Sequence, residues 1–228
     1  MNAPLVAITG TGTGIGKTHA ACAVALAWSR RLPSTRGLAA LKPVESGVPA
    51  TGEPEDGALL ARVSTFHVKH RQAPYLLARP VSPHLAARDA GVVIDLDLVA
   101  RWVEPYRSSA AAVLVELPGG LFSPVAAGKS NADLASALGP TAVLLVAPDR
   151  LGVLHDVGAT VRAARAGGLP LHGILLVAPA EPDASTGTNA AEMREVTDVP
   201  VLAVLPRAPI EDLARREDVE RLVTGFDP

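Results

Sequence analysis

Three stretches of this chain hold residue types able to handle a phosphorylated ligand. In Ala7-Ile-Thr-Gly-Thr-Gly-Thr-Gly-Ile-Gly-Lys-Thr-His19 an apolar run ends in a glycine-rich turn, followed at once by a lysine, a threonine and a helical pattern. Glycines let successive backbone N–H groups curl around an anion, and the helix that follows offers its positive N-terminal end. In such a cradle Lys17 reaches the outer phosphates and the Thr18 hydroxyl ligates Mg²⁺. The spacing misses the strict pattern of Gly, four residues, then Gly-Lys-[Ser/Thr] by one position, because Thr11 stands five before Gly16 and Gly10 lies one further back. A strand over 5–9 and a helix over 18–31 supply the context that such a turn requires.

The second stretch is Leu41-Lys-Pro-Val-Glu-Ser-Gly47, which follows a buried strand over 37–41. Ligands of open parallel sheets sit beyond the carboxyl ends of the strands, so Lys42 and Ser46 are placed where a second substrate would meet the phosphates. The third is a hydrophobic run over 110–116 that ends in Glu116. An acidic residue closing a buried strand near a phosphate loop suits the holding of Mg²⁺, directly or through water. Pro118-Gly-Gly120 is expected to keep the backbone open beside it. Asp56, at the start of a helix over 57–62, reads on its own equally as a helix cap. Ser82-Pro-His84 opens a short helix, and a proline there gives a rigid start whose free N–H groups can bind anions.

The elements that position these residues alternate along the whole chain. After an amphipathic helix over 95–107 come strands over 141–147, 171–177 and 201–205, each followed by a helix, over 153–166, 188–196 and 210–223. This rhythm predicts a single α/β domain spanning 1–228, a doubly wound, mostly parallel sheet with helices on both faces. Residues 179–188, rich in Pro, Asp, Ser, Thr and Gly, read as a mobile loop. The 21 basic and 23 acidic residues nearly cancel, which argues against nucleic acid or a membrane surface as the main partner. No apolar run approaches the roughly 18 residues of a membrane helix. A single cysteine, Cys22, excludes an internal disulfide and reads as a small buried hydrophobe. With no leader pattern, the expected location is the cytoplasm.

Thr9-Gly-Thr-Gly-Thr-Gly-Ile-Gly-Lys-Thr18, Leu41-Lys-Pro-Val-Glu-Ser-Gly47, Ser82-Pro-His84, Val115-Glu-x-x-Gly-Gly-x-Phe-x-Pro124, Leu151-Gly152 and Pro200-Val-Leu-x-Val-Leu-Pro206 together resemble the dethiobiotin synthetase family, nearly end to end. The resemblance implies a P-loop, ATP- and Mg²⁺-dependent ligase that closes a cyclic urea on 7,8-diaminononanoate with CO2, through a carbamate and its mixed anhydride with phosphate. It implies catalytic roles for Lys17, Lys42, Thr13 and Ser46, and metal-holding roles for Thr18, Asp56 and Glu116. Nucleotide would lie against Gly12, Gly14, Ile15, Gly16, Lys17, Thr18, His19, Glu116, Gly119, Val177, Pro206 and Arg207. Substrate would meet Thr13, Lys42 and Ser46, while its carboxylate would be gripped by Gly152, Val153, Leu154 and His155 of a neighbouring chain in a homodimer.

The chain departs from the family pattern in four respects. Gly12 and Gly14 stand where acidic residues are often found, Leu117-Pro118 replaces Gly-Ala, and His155 replaces an asparagine. Val177-Ala178 stands where Asn-Asp often reads adenine, which predicts weak discrimination between ATP and other nucleoside triphosphates. Two other readings compete. A partition or cofactor-delivery switch ATPase would carry an extra lysine where this chain has Gly12. A degenerate relative would bind nucleotide without ligase activity, against which stand the retained Lys17, Thr18, Lys42, Ser46 and Glu116.

Overall fold

A computed structural model describes residues 2–33 and 35–226. The elements in chain order are β1 (Leu5–Gly10), α1 (Lys17–Ser29), β2 (Leu38–Leu41), β3 (Val44–Ser46), α2 (Glu55–Val63), β4 (Tyr75–Leu77), α3 (Pro83–Asp89), α4 (Leu96–Ser109) and β5 (Ala112–Glu116). They continue with β6 (Pro124–Ala126), β7 (Lys129–Ser130), α5 (Asn131–Leu138), β8 (Ala142–Pro148), α6 (Val153–Ala166), β9 (Gly173–Val177), α7 (Asn189–Glu192), β10 (Val201–Leu205), α8 (Ile210–Leu213) and α9 (Glu217–Thr224).

Six strands form the central sheet in the order β10-β9-β8-β1-β5-β2, and every pairing is parallel. The strands are continuous apolar runs because both faces are covered. Along β1, Val6 and Ile8 join α1, α2, α8 and α9 in one core, while Leu5 and Ala7 join α4 and α5 in the other. Alternate residues of a strand point to opposite faces, so one six-residue segment serves both cores. Helix α1 is rich in alanine and buries Ala20, Ala21, Ala23, Val24 and Trp28, which allows close approach to the sheet. No described helix is long and apolar enough to cross a membrane.

Several boundaries differ from expectation. The predicted helix over 210–223 is two helices, α8 and α9, broken where the Arg216 side chain bonds the Asp218 carboxylate beside the new helix start. The one over 188–196 shortens to α7 plus a single 3-10 turn, Met193–Glu195. Asp95 stands outside α4 as its cap, accepting a bond from the Asp97 N–H at 2.9 Å. The strand expected from 171 starts at Gly173, where an added Cβ would fall 2.0 Å from Leu202 Cδ1. The predicted mobile loop over 179–188 is cross-linked by hydrogen bonds. Buried Asp149 accepts from Gly187 N–H and the Asn189 amide, and Asp183 accepts from Leu151 and Ser185 N–H.

Candidate functional site

The glycine turn leaves the carboxyl end of β1, the strand flanked by β5 on one side and β8 on the other. A crossover point of this kind opens a crevice at the strand ends. Gly14 and Gly16 have φ of 71° and 86°, a left-handed conformation open to glycine at no steric cost. An added Cβ on Gly16 would also fall 2.9 Å from Val177 Cγ1. The Lys17 ammonium folds back to donate to the Gly12 carbonyl at 2.8 Å, closing the turn on itself.

Lys42, at the end of β2, and Glu116, at the end of β5, meet at 2.6 Å, because the two strands are paired neighbours. Lys42 also reaches Asp56 Oδ2 at 2.8 Å. The Thr18 hydroxyl lies within hydrogen-bond reach of Asp56 Oδ1 and Glu116 Oε1, at 2.9 and 3.0 Å. Residues far apart in the chain therefore converge on one spot, with Lys42 and Glu116 buried and Thr18 and Asp56 at its open side. Burial alone would push the Lys42 ammonium down; Glu116 and Asp56 overcome it and hold that pKa above the ordinary lysine value. Burial would push Asp56 up, yet Lys42 and the Thr18 hydroxyl leave it below its usual range. Lys17, by contrast, is lowered to about 8, by burial first and then by the Lys42 charge.

A cavity of about 620 Å³ holds this cluster, lined also by Thr13, Gly14, Gly16, His19, Ser46 and Gly119. A second cavity of about 700 Å³ lies across the same turn, lined by Ile15, Val177, Pro206, Arg207 and Arg150, with Thr13, Gly14, Gly16 and His19 common to both. His19 Nε2 bonds the Ala208 carbonyl at 2.7 Å and so ties α1 to the segment after β10. Ser46 Oγ and Glu116 Oε2 are buried without a hydrogen-bond partner. Orphaned acceptors of this kind suit the binding of a polar ligand or cation. A hydroxyl and two carboxylates are hard oxygen donors that fit Mg²⁺. Among the described residues no group of three or more His, Cys, Asp and Glu could hold a metal, so such a cation would draw its remaining ligands from phosphate oxygens and water.

Gly152, Val153, Leu154 and His155 line neither cavity. They form the start of α6, where Gly152 (φ 93°) and His155 are exposed, Leu154 is half-buried and Val153 is buried in the core. Asp56 is no cap: it is the second residue of α2, which begins after Pro54. Pro118-Gly-Gly120 is not open either. A Cβ on Gly120 would lie 3.1 Å from the Thr11 carbonyl oxygen, so glycine here permits close packing on the phosphate turn. Two residues that sequence reasoning missed hold the site together. Glu45 accepts bonds from Asp56 and Gly57 N–H, and the buried Asn131 amide donates to the carbonyls of Pro118 and Gly120. Neither has a spacing signal, since their partners are set by the fold. Cys22 is buried as expected but also borders the first cavity, its thiol pushed up to about 12 by burial and then by Glu116 and Asp56.

The fold and site define an α/β phosphate-loop protein. A family model described as an AAA domain matches residues 5–215. ATP-dependent dethiobiotin synthetase BioD of Anaeromyxobacter dehalogenans strain 2CP-C is 43% identical over 218 residues, covering 92% of each chain. The protein of the same name from strain 2CP-1 is 42% identical over 219 residues, with the same coverage. The chain belongs to the ATP-dependent dethiobiotin synthetase family. A ParA family ATPase from Chlorobium tepidum TLS superposes with a TM-score of 0.59 over 98% of both chains at 14% identity, a likeness of fold alone.

Proposed function

We propose that this chain makes dethiobiotin, as one domain, from 7,8-diaminononanoate, CO2 and ATP. One amine of the substrate adds to CO2, losing a proton and forming a carbamate. A carbamate oxygen attacks the γ-phosphorus and ADP leaves. The second amine then attacks the carbamoyl carbon, phosphate departs, and the ring closes. Lys17 and Lys42 neutralise charge on the transferring phosphoryl group and the carbamate, which is mainly a matter of positioning and electrostatics. Thr13 and Ser46 offer hydroxyls to the carbamate or amine. Thr18, Asp56 and Glu116 would hold Mg²⁺, which when bound offsets the charge of the β- and γ-phosphates.

The observation that carries this reading is the Lys42 ammonium, held charged between Asp56 and Glu116 in a cavity shared with the Lys17 turn. The second cavity, with Val177, Pro206 and Arg207, takes the nucleoside. Val177 has no amide to read adenine, so other nucleoside triphosphates also serve. Gly152, Val153, Leu154 and His155 grip the substrate carboxylate of the neighbouring subunit, as a helix N-terminus favours. The protein works as a cytoplasmic homodimer. The test is incubation with 7,8-diaminononanoate, bicarbonate, Mg²⁺ and ATP. Phosphate release that depends on the diamine, with dethiobiotin as product, is expected; nucleotide binding without either would support the degenerate relative.

A further inference from the structure

Helix α2 carries Asp56 into the site, but its own start lacks a side-chain cap, since Pro54 occupies the cap position. The first turn of a helix leaves N–H groups without intrahelical partners, and burial makes that costly. Here two of them are met from outside the helix. Glu45 Oε1 accepts from Asp56 N–H and Oε2 from Gly57 N–H, both at 2.9 Å. Glu45 is only 5% exposed and sits on β3, whose register with β4 pairs it with Leu76. A Cβ on Gly57 would lie 3.2 Å from Glu45 Oε2, so the glycine leaves room for the contact. Burial raises the Glu45 carboxyl above its usual range, against the pull of both N–H donors.

We infer that Glu45 is a positioning residue: from β3 it caps α2 in trans and thereby holds the Asp56 carboxylate against Lys42 and Thr18. This rests on the proposed reading of Asp56 as a cation-holding group. A helix start left free to shift would move Asp56 relative to β2 and β5, which carry its partners. Glu45 touches no reacting atom in this scheme, and its effect passes through Asp56.

The test measures ATP affinity by calorimetry with and without Mg²⁺ for the wild type, Glu45→Ala, Asp56→Asn and the double variant. Loss of the cap is expected to weaken Mg²⁺-supported binding about fivefold, leaving affinity in chelator unchanged. The double variant should be no worse than Asp56→Asn, and Glu45→Gln, which keeps one acceptor, should fall in between. Gly57→Ala, which crowds the same oxygen, should shift binding in the same direction and serves if Glu45→Ala fails to fold. Full Mg²⁺ dependence in Glu45→Ala beside its loss in Asp56→Asn, or additive losses, would overturn the inference. If Asp56→Asn leaves Mg²⁺ dependence unchanged, the cation reading of Asp56 falls instead. Amide exchange then decides for Glu45: positions 56 and 57 should exchange at least about tenfold faster in Glu45→Ala, and unchanged rates would refute the cap.

Discussion

Lys17 and Lys42 share one buried site but are poised differently. Lys42 has two carboxylates beside it and stays charged, whereas Lys17, bonded only to a carbonyl, is lowered to about 8. The unfolded chain holds the Lys17 proton up to about 10.5. Between those values the unfolded state binds more protons, so this group's contribution to stability rises with pH. Nucleotide binding has the opposite sign. A triphosphate favours the charged lysine, so ATP affinity should be level below pH 8 and fall by up to about tenfold per unit above it. Calorimetry at pH 9 in two buffers of different ionisation enthalpy should register proton uptake on binding; its absence would mean that Lys17 does not meet the phosphates. The convergence of these residues was legible in the sequence, because the glycine turn ending in Gly16-Lys17-Thr18 and the ends of β2 and β5 meet at one edge of a parallel sheet. Glu45 was not legible: nothing near position 45 reveals that Asp56 and Gly57 will bring unpaired N–H groups to it.

The stability of the site depends on loops that several elements clamp. Asn131, at the start of α5, donates through one amide to the carbonyls of Pro118 and Gly120, just after Glu116. Asn131→Ala leaves the buried Pro118 carbonyl unpaired, while the Gly120 carbonyl keeps the Ser123 N–H, and should cost about 1–3 kcal/mol, read as a lower midpoint in urea with an unchanged slope. The cavity proposed for the nucleoside belongs to this scale too, since β9 and β10 carry Val177 and Pro206 to the glycine turn. With no amide at position 177, CTP or GTP should support turnover at efficiency similar to that of ATP; strict ATP dependence would contradict this. Parallel strands separated by helices fixed the layer order from pattern alone, which is why the central sheet was readable. The break between α8 and α9 was not, because it answers to tertiary bonds, from Arg30 to the Ala214 carbonyl and from the Val204 N–H to Asp218, rather than to local propensity. The loop over 179–188 was misread for the same reason: its composition suggests freedom, but buried Asp149 ties it down.

At the scale of the whole molecule, Gly152 and His155 are exposed at the start of α6 and line neither the Lys42 cavity nor the Val177 cavity. A homodimer with shared sites makes a direct prediction. Lys42→Ala and Gly152→Val chains, each inactive alone, should regain roughly a quarter of wild-type activity when mixed and allowed to exchange, since half of the random pairs carry one intact site of two. No recovery, with exchange verified, would mean that each chain builds its site alone. In the proposed reaction Lys42 acts on the reacting groups rather than on nucleotide capture. Removing it also leaves Glu116 buried and unpaired, at a cost of about 3–5 kcal/mol, so the comparison belongs at a temperature where the variant is folded. The most direct measurement is the rate of diamine-dependent phosphate release by folded Lys42→Ala, set beside its ATP affinity. Turnover is predicted to fall by about a hundredfold to a thousandfold while ATP still binds. Turnover at the wild-type rate, or loss confined to ATP binding, would contradict the account.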